Sequence, residues 1–99
     1  MDRERQGGWV YIMANRYRGS VYVGVTSDLP RRIHQHRTGY GSEHCRYYGL
    51  DRLVWVERGD SIVDCIAHEK RVKRWGRPWK FALIEKTNPE WRDLSDMLV

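Results

Sequence analysis

Four side chains have the chemical types that hydrolysis of a phosphate ester needs: Tyr11, Tyr22, Arg32 and Glu69. A carboxylate suits a hard, oxygen-preferring cation that also binds waters and phosphate oxygens. An arginine offers phosphate a bidentate fork and stays charged at any working pH. A tyrosine can donate and accept hydrogen bonds, but its ordinary pKa of about 10 makes it a poor base at neutral pH. A cation and the arginine must therefore lower that pKa, or a water must relay the proton.

Glu69 is the most informative of the four because it falls on the apolar face of a predicted helix, Ile62 to Trp75. At roughly 100° per residue, the other residues in its arc are apolar: Ile62, Cys65, Ile66 and Val72. Burying an unpaired carboxylate is costly, so Glu69 must be paired, be protonated, coordinate a cation or face a cleft. A semi-buried salt bridge to an arginine is the simplest structural alternative.

Arg32 and His36 are four residues apart on another predicted helix, Leu29 to Arg37, and therefore share a face. They border the apolar pair Leu29 and Ile33 on the helix surface. An arginine at such a border is held in a restricted orientation. The other basic residues of this helix are interpreted as solvated: Arg31, His34 and Arg37.

The two tyrosines are predicted to lie on neighbouring strands. Trp9 to Met13 and Val21 to Val25 are rich in β-branched and aromatic residues, and the turn-like segment between them predicts an antiparallel hairpin. Gly24 interrupts the second strand, which marks a bulge or a place where a group approaches the backbone closely. Taken singly, Tyr11 and Tyr22 fit sheet packing. Together with a bordering arginine and an inward glutamate, they indicate a common cleft.

The rest of the chain completes a small α+β domain. Its predicted elements are a mobile loop at Thr38 to Gly49, a strand at Arg52 to Arg58, the helix at Ile62 to Trp75, a third helix at Trp79 to Lys86 and a last turn at Glu90 to Leu94. Ser61 is the predicted N-cap of the second helix, and Pro78 stands where the third begins. The order β-β-α-β-α-α predicts a three-stranded sheet with helices packed on it.

The composition describes one ordinary globular domain, expected to span residues 1–99 with a core at about 8–94 and a frayed segment at 1–8. The chain is 40% apolar and 31% charged, and its net charge of +5 favours a polyanionic partner. Cys45 and Cys65 lack the close spacing of a disulfide framework or a zinc site. We expect no leader and no membrane span, and therefore a soluble, cytoplasmic protein; the oligomeric state is open.

Two tripeptides mark the predicted hairpin, Val10-Tyr11-Ile12 on its first strand and Tyr22-Val23-Gly24 on its second. The arginine of RRIHQH, the glutamate of AHEKRVKRW and a late asparagine follow in a fixed order. This ordered set resembles the GIY-YIG endonuclease superfamily, and the tail KRWGRPWKFALIEKTNPEW is similar to its small single-domain bacterial branch. The resemblance covers about Gly8 to Leu94.

The resemblance implies a three-stranded antiparallel β-sheet flanked by helices and metal-dependent hydrolysis of a DNA phosphodiester, in DNA repair or recombination. By position, Glu69 would hold one divalent cation, Mg²⁺ or alternatively Mn²⁺. Arg32 would stabilise the charge that develops on the phosphoryl group. Tyr11 or Tyr22 would orient or deprotonate the attacking water, and His36 matches a histidine that some members use near the site.

Further positions define the expected substrate contacts. Asn88 matches a late polar position of the family, and Gly24 would let the substrate approach the backbone. Trp9 replaces the usual glycine of the first motif. We expect no additional DNA-binding domain, and therefore few phosphate contacts and little base readout. The expected substrate is therefore selected by structure, as branched, nicked or single-stranded DNA, and not by sequence.

A basic run supplies a candidate nucleic-acid track. Its members are Lys70, Arg71, Lys73, Arg74, Arg77 and Lys80. Trp75 and Trp79 are interleaved with them and fit either core packing or stacking on unpaired bases. Two alternatives to a nuclease stay open: a non-catalytic nucleic-acid-binding module with the same fold, and a protein-interaction domain that docks its partner through exposed tryptophans.

Overall fold

The computed structural model describes residues 7–38 and 49–98, which form a three-stranded sheet and three α-helices. The elements in chain order are β1 (Gly8–Ala14), β2 (Val21–Thr26), α1 (Leu29–Thr38), β3 (Arg52–Gly59), α2 (Ile62–Arg74), α3 (Arg77–Thr87) and a final 3-10 turn (Leu94–Leu98). The predicted α+β class and the order β-β-α-β-α-α are confirmed.

The sheet is antiparallel with strand order β2-β1-β3, so β1 is its central strand. β1 and β2 form the predicted hairpin, in which Trp9 lies opposite Thr26 and Ala14 lies opposite Val21. The same register places Gly24 of β2 directly opposite Tyr11 of β1. The candidate site is built on this pair.

Helices cover both faces of the sheet. On one face, α2 and α3 pack on a core that contains Val10, Ile12, Ala14, Val23, Val54, Cys65, Val72, Ile84 and Trp91. On the other face, α1 packs on a second cluster of Tyr11, Met13, Leu29, Ile33, Leu50 and Leu53. Successive strand residues alternate between faces, so the predicted site tyrosines lie on the α1 face.

Helix ends follow their capping residues. Ser61 caps α2 as predicted, because its Oγ accepts a hydrogen bond from the Asp64 N–H at 3.4 Å. The third helix was predicted to start at Pro78, and α3 begins one residue earlier, at Arg77. Gly76 takes the extended N-cap conformation, and Pro78 is tolerated in the first turn, where its missing N–H has no helical partner.

A buried asparagine fixes the segment after α3. Asn88 Nδ2 donates to the carbonyl oxygens of Val54 at 3.0 Å and Arg92 at 2.9 Å, and Oδ1 accepts from the Arg92 N–H at 3.0 Å. Trp91 takes a left-handed φ of 58°. The predicted turn at Glu90 to Leu94 is therefore wrong, because these contacts hold that segment against β3 and the final turn starts at its end. The substrate contact of Asn88 stays a prediction.

The interpretation of α1's basic residues as solvated is only partly correct. Arg31 and His34 are exposed. Arg37, although also exposed, binds the Asp93 carboxylate, the Ser95 Oγ and the Asp51 carbonyl oxygen. It therefore anchors the end of α1 to the C-terminal segment.

The predicted fraying of residues 1–8 does not extend to Gly7 and Gly8. Both are buried, and Gly8 pairs with Gly59 of β3. Residues 1–6 and the main part of the predicted loop, residues 39–48, lie outside the described ranges. None of the helices within those ranges has the length and apolarity that a membrane crossing requires.

Candidate active site

Tyr11 is fully buried, and its phenol oxygen joins two residues of α1. His36 Nε2 lies 2.9 Å from Tyr11 Oη, and Arg32 Nε donates to the same oxygen at 3.2 Å. The spacing of four residues places Arg32 and His36 on one face of α1, as the sequence predicts. That face turns both side chains towards the tyrosine.

The absence of a side chain at Gly24 leaves space for the phenol of Tyr11. A Cβ at this position would lie 2.4 Å from Tyr11 Oη and 2.5 Å from Cζ. The interpretation that a group approaches the backbone closely at Gly24 is confirmed, and the group is Tyr11 itself. Approach of a substrate to the same place stays a prediction.

Gly24→Ala is expected to displace the Tyr11 ring and to lower the free energy of unfolding by about 1–3 kcal/mol. The buried phenol has no adjacent solvent into which it can move. Urea denaturation measures the effect. Gly76→Ala is the matched control, because its added Cβ would meet nothing closer than 3.7 Å. Equal losses of stability in the two variants would show that Gly24 has no special packing role.

The hydrogens of this cluster can be assigned from its donors. Tyr11 Oη accepts from the Arg32 Nε–H, so we assign the phenol's own hydrogen to His36 Nε2. The His36 proton then lies on Nδ1, a buried atom with no hydrogen-bond partner among the described residues. Burial, and secondly the charge of Arg32, lower the pKa of His36 from 6.5 to about 4. His36 is thus neutral at physiological pH.

His36 should make the protein less stable in acid. Its pKa is lower in the folded than in the unfolded chain, so its contribution is complete above pH 6.5 and is lost as the pH falls towards 4. The full loss is on the order of 3 kcal/mol. Urea denaturation between these pH values should show a steeper decline for the wild type than for His36→Gln. Parallel stability curves would contradict the prediction.

The ring of Tyr22 lies beside the rings of Tyr11 and His36. Its ring centroid lies 6.4 Å from that of Tyr11 and 5.6 Å from that of His36. On α2, Lys73 places its ammonium 5.7 Å from the centroid of the Tyr22 ring. Because β2 is an edge strand, a side chain of α2 can reach the face that α1 covers.

Glu69 is buried to 7% exposure on the face of α2 that packs against the sheet, as its position among apolar residues predicts. Ile66 is 38% exposed, so the buried face of α2 is narrower than the apolar face that the sequence predicts. Glu69 forms a semi-buried salt bridge, the structural alternative that the sequence left open, but its partner is Lys73 and not an arginine: Lys73 Nζ lies 2.7 Å from Glu69 Oε2. This hydrogen bond raises the pKa of Lys73. The i, i+4 spacing of the pair was a visible signal for it in the sequence.

Arg32 keeps a positive charge at this cluster. The hydrogen bond to Tyr11 raises the pKa of Arg32, and its Nη1 also donates to Gln35 Oε1 at 3.3 Å. Within residues 7–38 and 49–98, no carboxylate forms an ion pair with Arg32. A half-buried guanidinium of this kind is suited to bind an anion such as phosphate.

The predicted basic track is used partly within the protein. Lys73 pairs with Glu69, and Arg77 donates to the carbonyl oxygens of Arg18 and Gly19 in the hairpin turn. Arg74 is exposed and Lys80 is half-buried. Of the interleaved tryptophans, Trp75 packs against the core, whereas Trp79 is 69% exposed.

Glu69 supplies the carboxylate of this cluster that a magnesium-type cation would bind. Its carboxylate already has a positively charged partner, the Lys73 ammonium. In the described part of the chain, no group of three or more metal-ligating side chains comes together. A cation held here would therefore depend on one carboxylate, waters and phosphate oxygens, which is how Mg²⁺ binds in many phosphoryl-transfer sites.

Comparison with known proteins agrees with this geometry. The family model of the GIY-YIG catalytic domain matches residues 7–82. The chain is 29% identical over 89 residues to a UPF0213 protein of Aeromonas salmonicida, covering 90% of this chain and 65% of that protein. It is 28% identical over 90 residues to a UPF0213 protein of Pectobacterium carotovorum, covering 91% and 90%. A UPF0213 protein of Vibrio parahaemolyticus is 34% identical over 76 residues, covering 77% and 71%.

No solved structure matches the chain significantly. The family match nevertheless includes both tyrosine strands, α1 and α2, and therefore every residue of the cluster. The UPF0213 proteins that the chain resembles are bacterial, as the similarity of its tail to the small bacterial members of the superfamily implies. The chain belongs to the GIY-YIG catalytic domain family, which has a nuclease-type fold.

Proposed function

We propose that this chain is a metal-dependent nuclease that hydrolyses phosphodiester bonds in DNA. The observation that carries the proposal is the contact of Arg32 Nε with the Tyr11 phenol oxygen at 3.2 Å. This contact places a guanidinium that can bind phosphate next to a phenol oxygen that can hydrogen-bond to water. Membership of a nuclease-type family implies that the ligand is a nucleic acid.

Arg32 is the proposed phosphate-binding residue. Its guanidinium is half-buried and forms no ion pair within the described ranges, so binding of a phosphate would neutralise it. A fixed cation stabilises the transition state because negative charge increases on the phosphoryl oxygens there.

Tyr11 is the proposed water-orienting residue. Tyr11 is buried in the unliganded chain, so the attacking water can donate a hydrogen bond to its oxygen only after Arg32 moves from that oxygen to the substrate phosphate. The phenol meanwhile directs its own proton to His36 Nε2. With a pKa of about 4, His36 is a weak final acceptor for a proton at neutral pH. We therefore assign His36 the task of positioning the phenol, and Arg32 that of stabilising negative charge.

Glu69 is the proposed metal ligand. When bound, Mg²⁺ or Mn²⁺ would supply Lewis-acid stabilisation of the phosphoryl oxygens. Lys73 now occupies the Glu69 carboxylate, so a metal must displace its ammonium or share the carboxylate with it. The Lys73 ammonium already lies 5.7 Å from the centroid of the Tyr22 ring, and a metal at Glu69 would release it to contact a neighbouring phosphate.

The substrate is proposed to be DNA of branched, nicked or single-stranded structure, as in repair or recombination. The small basic surface supports selection by structure, because contacts to phosphates carry no sequence information. The cytoplasmic location stays a prediction from the sequence.

Arg32→Ala is expected to lower the rate of cleavage by about 10²- to 10³-fold, the usual loss when one charge-stabilising donor is removed. Arg31→Ala is the matched control, since Arg31 precedes Arg32 on the same helix and its side chain is exposed. Labelled duplex, flap, nicked and single-stranded DNAs are incubated with each variant in Mg²⁺. Equal rates for the two variants would remove Arg32 from the mechanism.

The alternative, a non-catalytic binding module, makes a different prediction for the same panel. Lys73, which pairs with Glu69, and the basic residues of α3 would then bind DNA without taking part in catalysis. Wild-type protein that binds these DNAs but cuts none of them, in Mg²⁺ or in Mn²⁺, would favour this function over a nuclease.

A further inference from the structure

Trp79 is a large aromatic side chain left in solvent. It is 69% exposed on the first turn of α3. Its ring centroid lies 6.0 Å from that of Trp75, and the planes meet at 59°. Trp75 is half-buried against the core and therefore supports the exposed indole in one position. An indole that is both supported and accessible is suited to stack on a planar ligand.

Three cations belong to the helix end and the helix start on either side of Gly76: Lys73 near the end of α2, and Arg77 and Lys80 in α3. We call these three residues the α3 basic patch. Burial, and next the charges of Arg77 and Lys73, lower the pKa of Lys80, so the three cations lie within electrostatic reach of one another. Across residues 7–38 and 49–98, no carboxylate pairs with Lys80. A bound polyanion would relieve this repulsion.

The α3 basic patch is continuous with the candidate active site. Lys73 belongs to the patch, and its Nζ lies 2.7 Å from Glu69 Oε2. A nucleic-acid strand whose phosphate is bound at the site can therefore extend onto Lys73. Trp75, two residues further along the chain, contacts Trp79 and so connects this lysine to the exposed indole.

We propose that Trp79 and Lys80 form a stacking subsite for an unpaired base, so that the chain binds a single-stranded segment next to the phosphate that it cuts. The subsite rests on the proposed nuclease function and names its substrate more closely. Stacking on an exposed indole needs a base with an uncovered face, whereas bases inside a duplex are covered on both faces. Lys80 follows Trp79 on α3, and its positive charge would attract the phosphates of the same strand.

A protein partner fits this surface less well than a nucleic acid. An apolar partner could cover Trp79, but it would also bury the cations of the α3 basic patch without neutralising them, at a high cost in desolvation. A single strand supplies both the aromatic base and the negative charge that the surface requires.

Binding in EDTA tests the subsite without cleavage. Fluorescence anisotropy compares a labelled oligodeoxythymidine with a blunt duplex of equal length, for wild type, Trp79→Ala and Trp79→Phe. Trp79→Ala should weaken binding of the single strand by about 5- to 150-fold and change duplex binding by no more than about two-fold. Trp79→Phe should retain most of the affinity, because a smaller aromatic ring still stacks.

Val63→Ala is the matched control, since Val63 is also 69% exposed and lies on α2. Unchanged binding of the single strand in Trp79→Ala, or equal losses for strand and duplex, would overturn the subsite. Cleavage of the same DNAs by wild type in Mg²⁺ is measured in parallel. A wild type that cuts, with binding independent of Trp79, refutes only the subsite, whereas a wild type that cuts nothing refutes the nuclease proposal.

Discussion

Glu69→Gln is expected to abolish metal-dependent cleavage and to leave the fold intact. Glutamine keeps the shape of the side chain but removes the negative charge that would hold the cation. If the metal supplies several kcal/mol of transition-state stabilisation, the single-turnover rate on labelled DNA should fall on the order of 10³-fold. The pair with Lys73 is half-exposed on the lysine side, so its loss should change the melting temperature little.

Glu57→Gln provides the matched control for this experiment. It makes the same change of charge on β3, where the Glu57 side chain is 58% exposed beside His68. The control should cut at the wild-type rate. If Glu69→Gln also cuts at that rate while its melting temperature is unchanged, Glu69 is not the metal ligand.

Tyr11→Phe is expected to lower the cleavage rate by about 10²-fold, the loss expected when the attacking water is no longer held in position. The change removes only the oxygen that Arg32 and His36 both contact. It also leaves the buried His36 Nε2 and the half-buried Arg32 Nε without that partner, at a cost of about 1–3 kcal/mol in stability. Rates must therefore be compared well below the melting temperature of the variant.

Tyr22→Phe identifies which tyrosine orients the water. Tyr22 also contributes to the raised pKa of Arg32, but less than Tyr11 does. We therefore expect a smaller loss in Tyr22→Phe than in Tyr11→Phe. A larger loss in Tyr22→Phe would transfer the water-orienting role to Tyr22.

The sequence was sufficient to predict the strands and the hairpin because each element has a local cause. β-branched and aromatic residues predict β1 and β2. Gly24 indicates that some group approaches the backbone closely, but the pattern does not identify that group. That group is Tyr11, whose position depends on the strand register. Register is a property of the pairing of two segments, so a single strand pattern does not contain it.

The sequence predicted that Glu69 is buried and that Arg32 and His36 share a helix face, but it did not predict which side chains pair. The burial of Glu69 follows from helical periodicity alone. Its partner Lys73 was assigned to the nucleic-acid track, because a basic run in a sequence does not show which of its members turn inward. The tertiary bonds of Arg37 and Asn88 join segments far apart in the chain, and no local pattern encodes such contacts.

The most direct test of the central claim is a time course of DNA cleavage by the wild-type chain under control of metal. Labelled single-stranded and flap DNAs are incubated in Mg²⁺, then with excess EDTA, then with Mg²⁺ restored beyond the chelator. A metal-dependent nuclease should cut, stop and cut again. Cleavage that continues in EDTA, or no cleavage at any stage with Mg²⁺ or Mn²⁺, would contradict the proposed function.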